Sequence, residues 1–517
     1  TISGYLFEKW AFDTAHDGQG EDVFDIRSRF VLGAEINTAD FMKVYLSARF
    51  WHFAVGEDAG DETWTVLNSR NVKYEYEAEV QEAYVYLPSE VLNLRVGNQI
   101  VRWGYGQFNK PSDVLNPMDY REGLFSDLEV PLIPVFMVHV DRNIGPVNIS
   151  GVYLPFFSPN RTNLFGQDWA PMSAMYGNPA FASAGGMAQM AGMIGGLIPS
   201  GIEDDVQPLM MATHPPDESL QNGQFGTRIA TRVADIDLSL IYFYGWDKLP
   251  FIEVNNQFLG DVGLLAGTIE QHPAVLGVLQ GLTSLDPFNP FASGAEMLGA
   301  LNGLSDDDKA ALQQAMQAVN RILFDAEGNP RQLSLESIFA TRYRRQHTIG
   351  LSGSTILFDR IGLKLDSAFS PARTLYLDSP AGFPVPRSLP AISYSIGLDY
   401  RLGTWFDIMG EFYHFHVLGL EEGEEVFIIG SDLYMMTLAT HFRFLDFDAL
   451  EFQLAGMYEL AMQNLFLFPK VTYKFPSGIH LAAGVIIAEV IGEGDTMGPA
   501  GLFDRNDSVY AELKWAF

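Results

Sequence analysis

Histidine is the residue type of this chain that most readily does chemistry, because it can activate a nucleophile or bind a metal ion. His414-Phe415-His416 places two imidazoles on one face of a predicted strand, where they could hold a metal, but no third ligand is evident. The chain has no G-x-S-x-G elbow, no H-E-x-x-H pair and no cysteine nucleophile. Asp306, Asp307 and Asp308 lack the ligand spacing of an EF-hand. We therefore expect no enzyme activity, no catalytic residue, no metal and no cofactor.

Charged side chains recur at every second position of several predicted strands. Basic residues lie on two neighbouring strands and acidic ones on the next: Arg27, Arg29, Lys43 and Arg49, then Glu75, Glu77 and Glu79. An ionised side chain facing lipid costs about 2 to 4 kcal/mol at the bilayer midplane, so we expect these residues to face a wet lumen. Opposed walls of this kind would set a transverse field across a porin constriction, but the same residues could also pair and close the lumen. The sequence leaves both readings open.

The elements that must position these residues are strands, in which apolar and polar side chains alternate with a period of two. The pattern predicts about 18 strands, including strands at 92–104, 360–369 and 391–402. Residues 508–517, SVYAELKWAF, alternate in the same way and end on Phe517. In lipid, a closed barrel is the strand architecture that leaves no backbone group unpaired. We therefore predict an all-β, up-and-down antiparallel transmembrane barrel.

The connections between the predicted strands are short at one end and, with one exception near Ala461, long at the other. This asymmetry is typical of an outer-membrane barrel, whose periplasmic turns are short and whose outer loops are long. No low-complexity linker divides the chain, so residues 1–517 are predicted to form one barrel domain. Three insertions, 105–134, 156–225 and 247–344, are expected to form a lid or constriction.

Composition narrows the classes of protein that remain. Net charge is −32, which excludes the clustered basic surface that nucleic-acid binding requires. Mean hydropathy is only +0.05, and no apolar run is long enough for a membrane-spanning helix. Cysteine is absent, so no disulfide or thiolate metal site forms. The start of the chain lacks a basic segment followed by an apolar run, and we expect any secretory signal to have been removed.

Residues 97–141 contain the most distinctive motif. It comprises Gly97-Asn98-Gln99, Val101-Arg102-Trp103-Gly104, Asp113-Val114-Leu115-Asn116-Pro117 with Asp119, and a proline-rich return. The motif resembles an outer-membrane family, domain of unknown function 1302, and more weakly the alginate-export barrels. That resemblance implies a barrel in the outer membrane and a channel for hydrophobic or lipid-like compounds.

The same motif has a physical interpretation. Gly104 and Gly106 let the backbone bend, so the loop could fold inward and narrow the pore, with Trp103, Asn116 and Asp119 among its constriction residues. The alternative is an ordered cap on the barrel rim, with Trp103 serving as an interface anchor.

The longest predicted connections are unusually apolar. One of them contains five methionines that could line a greasy passage: Met172, Met175, Met187, Met190 and Met193. The alternative is that these segments pack on one another as a small helical cap. A capping box at Ser305 predicts a helix that continues to about residue 324.

These observations favour a passive transport channel of the bacterial outer membrane. Hydrophobic or amphipathic small molecules are the leading expectation for its cargo, and a general or cation-preferring aqueous porin is the alternative. A third possibility is a sealed barrel that anchors an envelope assembly. The expected partners are membrane lipid and lipopolysaccharide, small-molecule cargo, the barrel-assembly machinery through Phe517, and a periplasmic protein.

Overall fold

A computed structural model describes the protein over most of its length. The described residues are 1–14, 25–39, 41–55, 76–121, 131–161, 216–217, 219–254, 256–275, 301, 303–323, 339–377, 385–427, 430–492, 498–503 and 507–517. They form two compact units, one comprising residues 1–251 and 342–517 and the other residues 252–341.

The larger unit is a closed antiparallel barrel of 18 strands, as the sequence predicts. Its strands are β1 (Ile2–Asp13), β2 (Asp25–Ala39), β3 (Met42–Val55), β4 (Tyr76–Leu87), β5 (Asn93–Gln99), β6 (Val135–Ile144), β7 (Val147–Leu154), β8 (Gln224–Val233), β9 (Ile236–Trp246), β12 (Arg345–Leu357), β13 (Ile361–Leu377), β14 (Val385–Leu402), β15 (Phe406–Val417), β16 (Asp432–Phe444), β17 (Leu450–Glu459), β18 (Asn464–Leu467), β19 (Lys470–Lys474), β20 (Ile479–Val490) and β21 (Ser508–Ala516). Because β18 and β19 both pair with β17 and with β20, they are two halves of one strand.

The barrel closes where its first and last strands meet. Strand β1 pairs with β2 on one side and with β21 on the other, with Tyr5 opposite Ala516 and Phe12 opposite Val509. Strand β9 pairs directly with β12, so the ring continues past the smaller unit. Closure leaves no unpaired edge, which is what a strand-built membrane span requires.

Alternate residues face outward and inward, as the pleat of a strand dictates. On β9, Leu238 and Leu240 are exposed, whereas Ser239, Ile241 and Phe243 are buried inside. The outer wall is apolar on many strands, and its exposed residues include Leu32, Phe50, Val80, Phe136, Ile229, Ile349, Leu365, Ile396, Leu398, Leu438, Leu454 and Leu481. An apolar outer wall on a closed barrel suits a lipid environment.

Among the described residues, β5, β13 and β14 differ most from their predicted bounds. β5 ends at Gln99 instead of residue 104, because the chain leaves the wall there. β13 continues to Leu377 and β14 begins at Val385, although the predicted strands end at 369 and begin at 391. The register of this pair shifts between Ser370 and Arg373, where Pro371 lies, and a bulge is a place where a strand tolerates proline.

The smaller unit contains two helices that pack together, α1 (Asn256–Gln271) and α2 (Asp306–Leu323). Leu265 packs against a cluster formed with Leu312 and Ala315. Helix α2 begins as predicted, because the Asp308 amide donates to Ser305 Oγ at 3.1 Å. A separate two-stranded sheet joins β10 (Phe251–Val254) and β11 (Phe339–Arg342).

Within the described part of the chain, none of the helices combines the length and the apolar character needed to cross a membrane.

Candidate functional site

Residues 100–121, here called the inward segment, leave the wall after β5 and cross the lumen. Asn116 replaces the strand hydrogen bonds that the chain gives up at this point. Its Oδ1 accepts from the Val101 amide at 2.9 Å, and its Nδ2 donates to the carbonyls of Gln99 and Ile133 at 3.0 and 2.9 Å. A single buried side chain therefore holds the departing and returning strands together.

One side of the inward segment packs on the barrel wall through apolar side chains. Val101, Trp103 and Leu115 form a buried cluster with inward-facing residues of β6, β7 and β9, namely Val135, Met137, Val152, Leu154, Ile241 and Phe243. Trp103 is only 2% exposed, so it lies inside the barrel. The alternative of a Trp103 anchor at the lipid interface is therefore wrong, because its ring is buried in this cluster.

The tip of the inward segment is bound to a distant part of the wall by two carboxylates. Glu411 on β15 accepts from the amides of Gln107, Phe108 and Asn109 at 2.7 to 2.9 Å. Asp366 on β13 accepts from the amides of Gly106 and Ser112, each at 3.3 Å. Charge-assisted hydrogen bonds of this kind are stronger than those between neutral groups.

Gly104 is the residue that lets the segment approach Asp366. Its φ is +92°, and a Cβ there would lie 2.2 Å from Asp366 Oδ2. Strand β15 is the eighth strand beyond β5 in the ring, after β6, β7, β8, β9, β12, β13 and β14. In a ring of 18 strands this is nearly the opposite wall, so the segment spans the lumen.

The return of the inward segment carries a network of paired charges. Asp119 accepts from Arg121 Nε at 2.8 Å and lies 3.4 Å from Arg49, which also pairs with Glu79. Arg121 also pairs with Glu77 at 2.8 Å, and Arg161 pairs with Glu79 at 2.7 Å. Burial alone would raise the pKa of Asp119, but hydrogen bonds from Arg121 and the nearby arginine charges hold it below its usual value. The network is therefore ionised and internally neutralised.

Asp113 differs, because it is buried and no described cation forms an ion pair with it, although the charges of Arg102 and Lys110 act on it. Its Oδ1 accepts from the Trp103 amide at 3.0 Å, and Trp103 belongs to the buried apolar cluster. Burial raises the pKa of Asp113 to about 6.

A second piece of chain also enters the lumen, near the end of the sequence. Helix α3 (Pro499–Leu502) is capped by Asn464, whose Oδ1 accepts from the amides of Ala500 and Gly501 at 2.6 and 2.9 Å. Phe503 joins a buried cluster with inward-facing Phe466, Phe468, Ile486 and Tyr510, and Phe108 of the inward segment packs against it. A third apolar cluster lines the extensions of β13, β14 and β15, with Leu375, Leu377, Leu389, Ala391, Phe415, Val417 and Val426.

The structure brings together only some of the residues proposed for the constriction. Arg49, Glu77, Glu79 and Asp119 form one network, whereas Trp103 and Asn116 lie elsewhere on the inward segment. Among the other predicted residues, Arg29 is close enough to the network to interact with the charges of Arg49 and Asp119.

Those remaining residues are placed as follows. Arg27 and Arg29 are inward on β2, with the Arg29 guanidinium over the Phe7 ring, and Lys43 lies 3.9 Å from Glu35. Glu75 and the five methionines Met172, Met175, Met187, Met190 and Met193 lie outside the described residues.

Sequence reasoning placed Asp366 among the inward-facing charges but gave it no contact with the segment, and it did not single out Glu411. Both face inward at a period of two, on strands that also carry the charged residues Lys364 and Asp407. Arg121 and Arg161 follow the motif in the next turns of chain. An acid at an inward position was the available signal, but its partner is not visible in the sequence.

Solved structures match the chain over its whole length, but only at low similarity. OccAB3 of Acinetobacter baumannii is 9% identical, with a TM-score of 0.46, and the match covers 100% of this chain and 99% of that one. OmpF of Salmonella typhi in complex with daunomycin is 7% identical, with a TM-score of 0.38 and coverage of 100% and 97%. These scores are low, so nothing about those proteins is carried to this chain.

Sequence comparison gives a clearer result for the family than for individual proteins. No curated protein is significantly similar to the chain. The profile of a family described as protein of unknown function (DUF1302) matches residues 24–475, which is most of the chain. The match includes the inward segment and the strands that carry Asp366 and Glu411, and the chain therefore belongs to the DUF1302 family.

Proposed function

We propose that the protein is a passive channel of the bacterial outer membrane whose lumen is narrowed by the inward segment, and that its cargo is a hydrophobic or amphipathic small molecule. The carrying observation is the attachment of residues 100–121 to two nearly opposite walls of the barrel. A chain segment in that position controls what passes through the lumen.

The inner wall supports an apolar cargo. Three apolar clusters are buried on the inner side of the wall, and they contain Trp103, Phe466, Phe468, Phe503 and Phe415 among other residues. The interiors of water-filled porins are polar instead. A greasy solute that displaced the segments packed on these clusters would bury the same apolar surface, which is favourable relative to water.

The charge network between the inward segment and the wall does not favour a cation-preferring porin. Arg49, Glu79, Asp119, Arg121 and Glu77 are paired with one another, so their fields largely cancel. A selectivity ring needs an excess of one sign that faces the permeating ion.

A sealed barrel that anchors an envelope assembly is the second candidate. It is favoured by the same two-sided attachment, because Glu411 alone receives three backbone amides and the Asn109 side chain. In that case the inward segment is a permanent plug.

The test combines conductance with passage of a hydrophobic probe. Purified protein is placed in planar bilayers at roughly 1 M salt, which screens surface charge. In parallel, entry of a hydrophobic fluorescent probe is measured in proteoliposomes whose outer leaflet contains lipopolysaccharide. Low conductance with protein-dependent probe entry is the expected result, whereas large steady openings would establish an aqueous porin.

The Glu411→Gln variant separates a channel from a plug. Glutamine keeps the size of the side chain but loses the charge and one acceptor oxygen, so the tip of the segment is held less firmly. We expect faster probe entry in this variant. Glu451→Gln is the matched control, because Glu451 faces inward but pairs with His441 and Lys474 at a distance from the segment. If neither wild type nor Glu411→Gln conducts ions or admits the probe, the protein is a sealed barrel.

A further inference from the structure

We propose that His414, His416 and Asp432 form a binding site for a divalent first-row transition-metal ion on the outer wall of the barrel. The sequence supplies the two histidines of β15. Strand pairing supplies the third ligand, since His416 lies directly opposite Asp432 of β16. Asp432 follows His416 by 16 residues, which is too far for a local sequence spacing to mark it as a ligand.

The position on the outer wall follows from the alternation of β15. Glu411, which binds the inward segment, and Phe415 point into the lumen. His414 and His416 have the opposite parity, so they point outward. On β16, Thr437 and Ala439 are buried inside, and Asp432 has the outward parity. The site lies at the end of β15 and β16 that is remote from their short turns.

The three side chains already converge on one point. His414 Nε2 lies 2.8 Å and His416 Nδ1 lies 2.7 Å from the same oxygen, Asp432 Oδ1. One possible ligand atom from each residue falls within 4.8 Å of the other two. Two imidazoles and one carboxylate suit zinc, copper, nickel or iron, whereas magnesium and calcium prefer oxygen ligands.

Neighbouring groups hold the ligands in place without competing for the same atoms. Tyr394 OH lies 3.2 Å from His414 Nδ1, and Ser431 Oγ donates to Asp432 Oδ2 at 2.8 Å. The Tyr434 ring stacks on His414, with centroids 4.3 Å apart and planes 8° apart. A second hydrogen bond to a ligand's other nitrogen is the usual support of a metal-bound histidine.

Metal binding changes the proton positions at the site in a defined way. The ion replaces the hydrogens that His414 Nε2 and His416 Nδ1 share with Asp432 Oδ1. The remaining proton of His414 then lies on Nδ1, facing Tyr394 OH, and any extra proton of an imidazolium passes to solvent. His416 retains 36% of its side-chain exposure, which gives the ion a path from outside and leaves room for water ligands.

The test is zinc binding by untagged protein in detergent, measured by equilibrium dialysis and elemental analysis. Wild type is expected to bind one Zn²⁺ per chain. Loss of a group that only supports a ligand weakens metal binding by about 10- to 100-fold. Asp432→Asn and His416→Gln remove ligands and should weaken zinc binding by more than this, whereas Tyr394→Phe should weaken it by about tenfold. His347→Gln is the matched control, because His347 lies on the outer wall with Tyr242 OH at 2.9 Å. The heat-dependent migration of the barrel on gels verifies that each variant folds.

A second measurement uses wild type alone. Co²⁺ is added as a spectroscopic probe, and its visible absorption should show nitrogen and oxygen coordination that one equivalent of Zn²⁺ abolishes. Equal zinc binding in wild type, Asp432→Asn and His416→Gln would overturn the proposal, as would a wild type that binds Ca²⁺ as well as it binds Zn²⁺. In either case the three residues are only a hydrogen-bonded cluster that fixes β15 to β16.

Discussion

At the scale of single residues, Asn116 is the side chain on which the inward segment depends most. It satisfies three backbone groups that no strand partner reaches, and it is only 3% exposed. Buried backbone groups left without partners each cost about 1 to 3 kcal/mol. The inward segment therefore owes its starting point to one amide side chain.

Asn116→Ala should loosen the inward segment while the barrel remains closed. Without the amide, the Val101 amide and the Gln99 and Ile133 carbonyls lose their partners, so we expect faster hydrogen exchange across residues 100–121. Mass spectrometry of peptic peptides measures this change. Asn148→Ala is the control, since the half-buried Asn148 side chain donates to the exposed side chain of Asn143. Unchanged exchange in Asn116→Ala would contradict this role.

Asp113 predicts a pH dependence. Burial raises its pKa from 3.8 to about 6, so the ionised form is disfavoured in the folded protein. The contribution of Asp113 to stability is complete below pH 3.8, falls as the pH rises through about 6, and is constant above that.

Asp113→Asn should remove this dependence, since asparagine keeps an acceptor for the Trp103 amide. We expect the variant to have a higher Tm than wild type at pH 7, and the difference to vanish near pH 4. The Tm of each protein is measured at several pH values from 4 to 7, with gel migration as the readout of thermal unfolding. A difference in Tm that does not change with pH would show that ionisation of Asp113 is not its cause.

At the scale of elements, local signals predict local structure. The capping box at Ser305 predicts the start of α2, because the Ser305 hydroxyl and the Asp308 amide are neighbours in the same turn. The strands were predicted for the same reason, since their period of two is read within a few residues. β5 was predicted too long because residues 100–104 continue its apolar pattern, but that pattern serves a lumenal cluster.

Ser305→Ala should fray the first turn of α2. Loss of an N-cap costs about 1 kcal/mol, so we expect several-fold faster amide exchange at residues 306–309. Lys309→Ala is the control on the same helix, because its side chain is half exposed and makes only a 3.5 Å contact with exposed Asp306. Equal exchange rates in the two variants would show that the cap does not hold this turn.

Contacts between remote elements could not be predicted in this way. The Gln107 amide reaches Glu411 across 304 residues, and the Gly106 amide reaches Asp366 across 260. Such pairs leave no spacing rule in one sequence, because the ring closure that brings the strands together is a property of the whole chain. The sequence therefore predicts a bendable loop with an Asn-Pro turn, and the wall that receives it comes only from the structure.

At the scale of the whole molecule, the apolar outer wall predicts sensitivity to charge at mid-strand. Leu438 lies near the middle of β16 and is 51% exposed on that wall. Leu438→Arg should lower the free energy of unfolding in phospholipid vesicles by about 2 to 4 kcal/mol. Urea titration of vesicle-inserted protein measures it. Leu438→Met is the control, and a cost well below 1 kcal/mol for arginine would place this residue outside the hydrocarbon region.

The two attachments of residues 100–121 act as a hinge and a latch. The hinge is the apolar packing of Val101, Trp103 and Leu115, which weakens in detergent or lipid-like solutes that replace its contacts. The latch is the pair Asp366 and Glu411, whose hydrogen bonds to the backbone amides of the tip are lost when other donors occupy those carboxylates. Because the two respond to different chemistry, we expect the tip to detach under conditions in which the base stays packed. On the proposed function, a solute with a polar head and a greasy tail carries both kinds of group and would engage both attachments in a single passage.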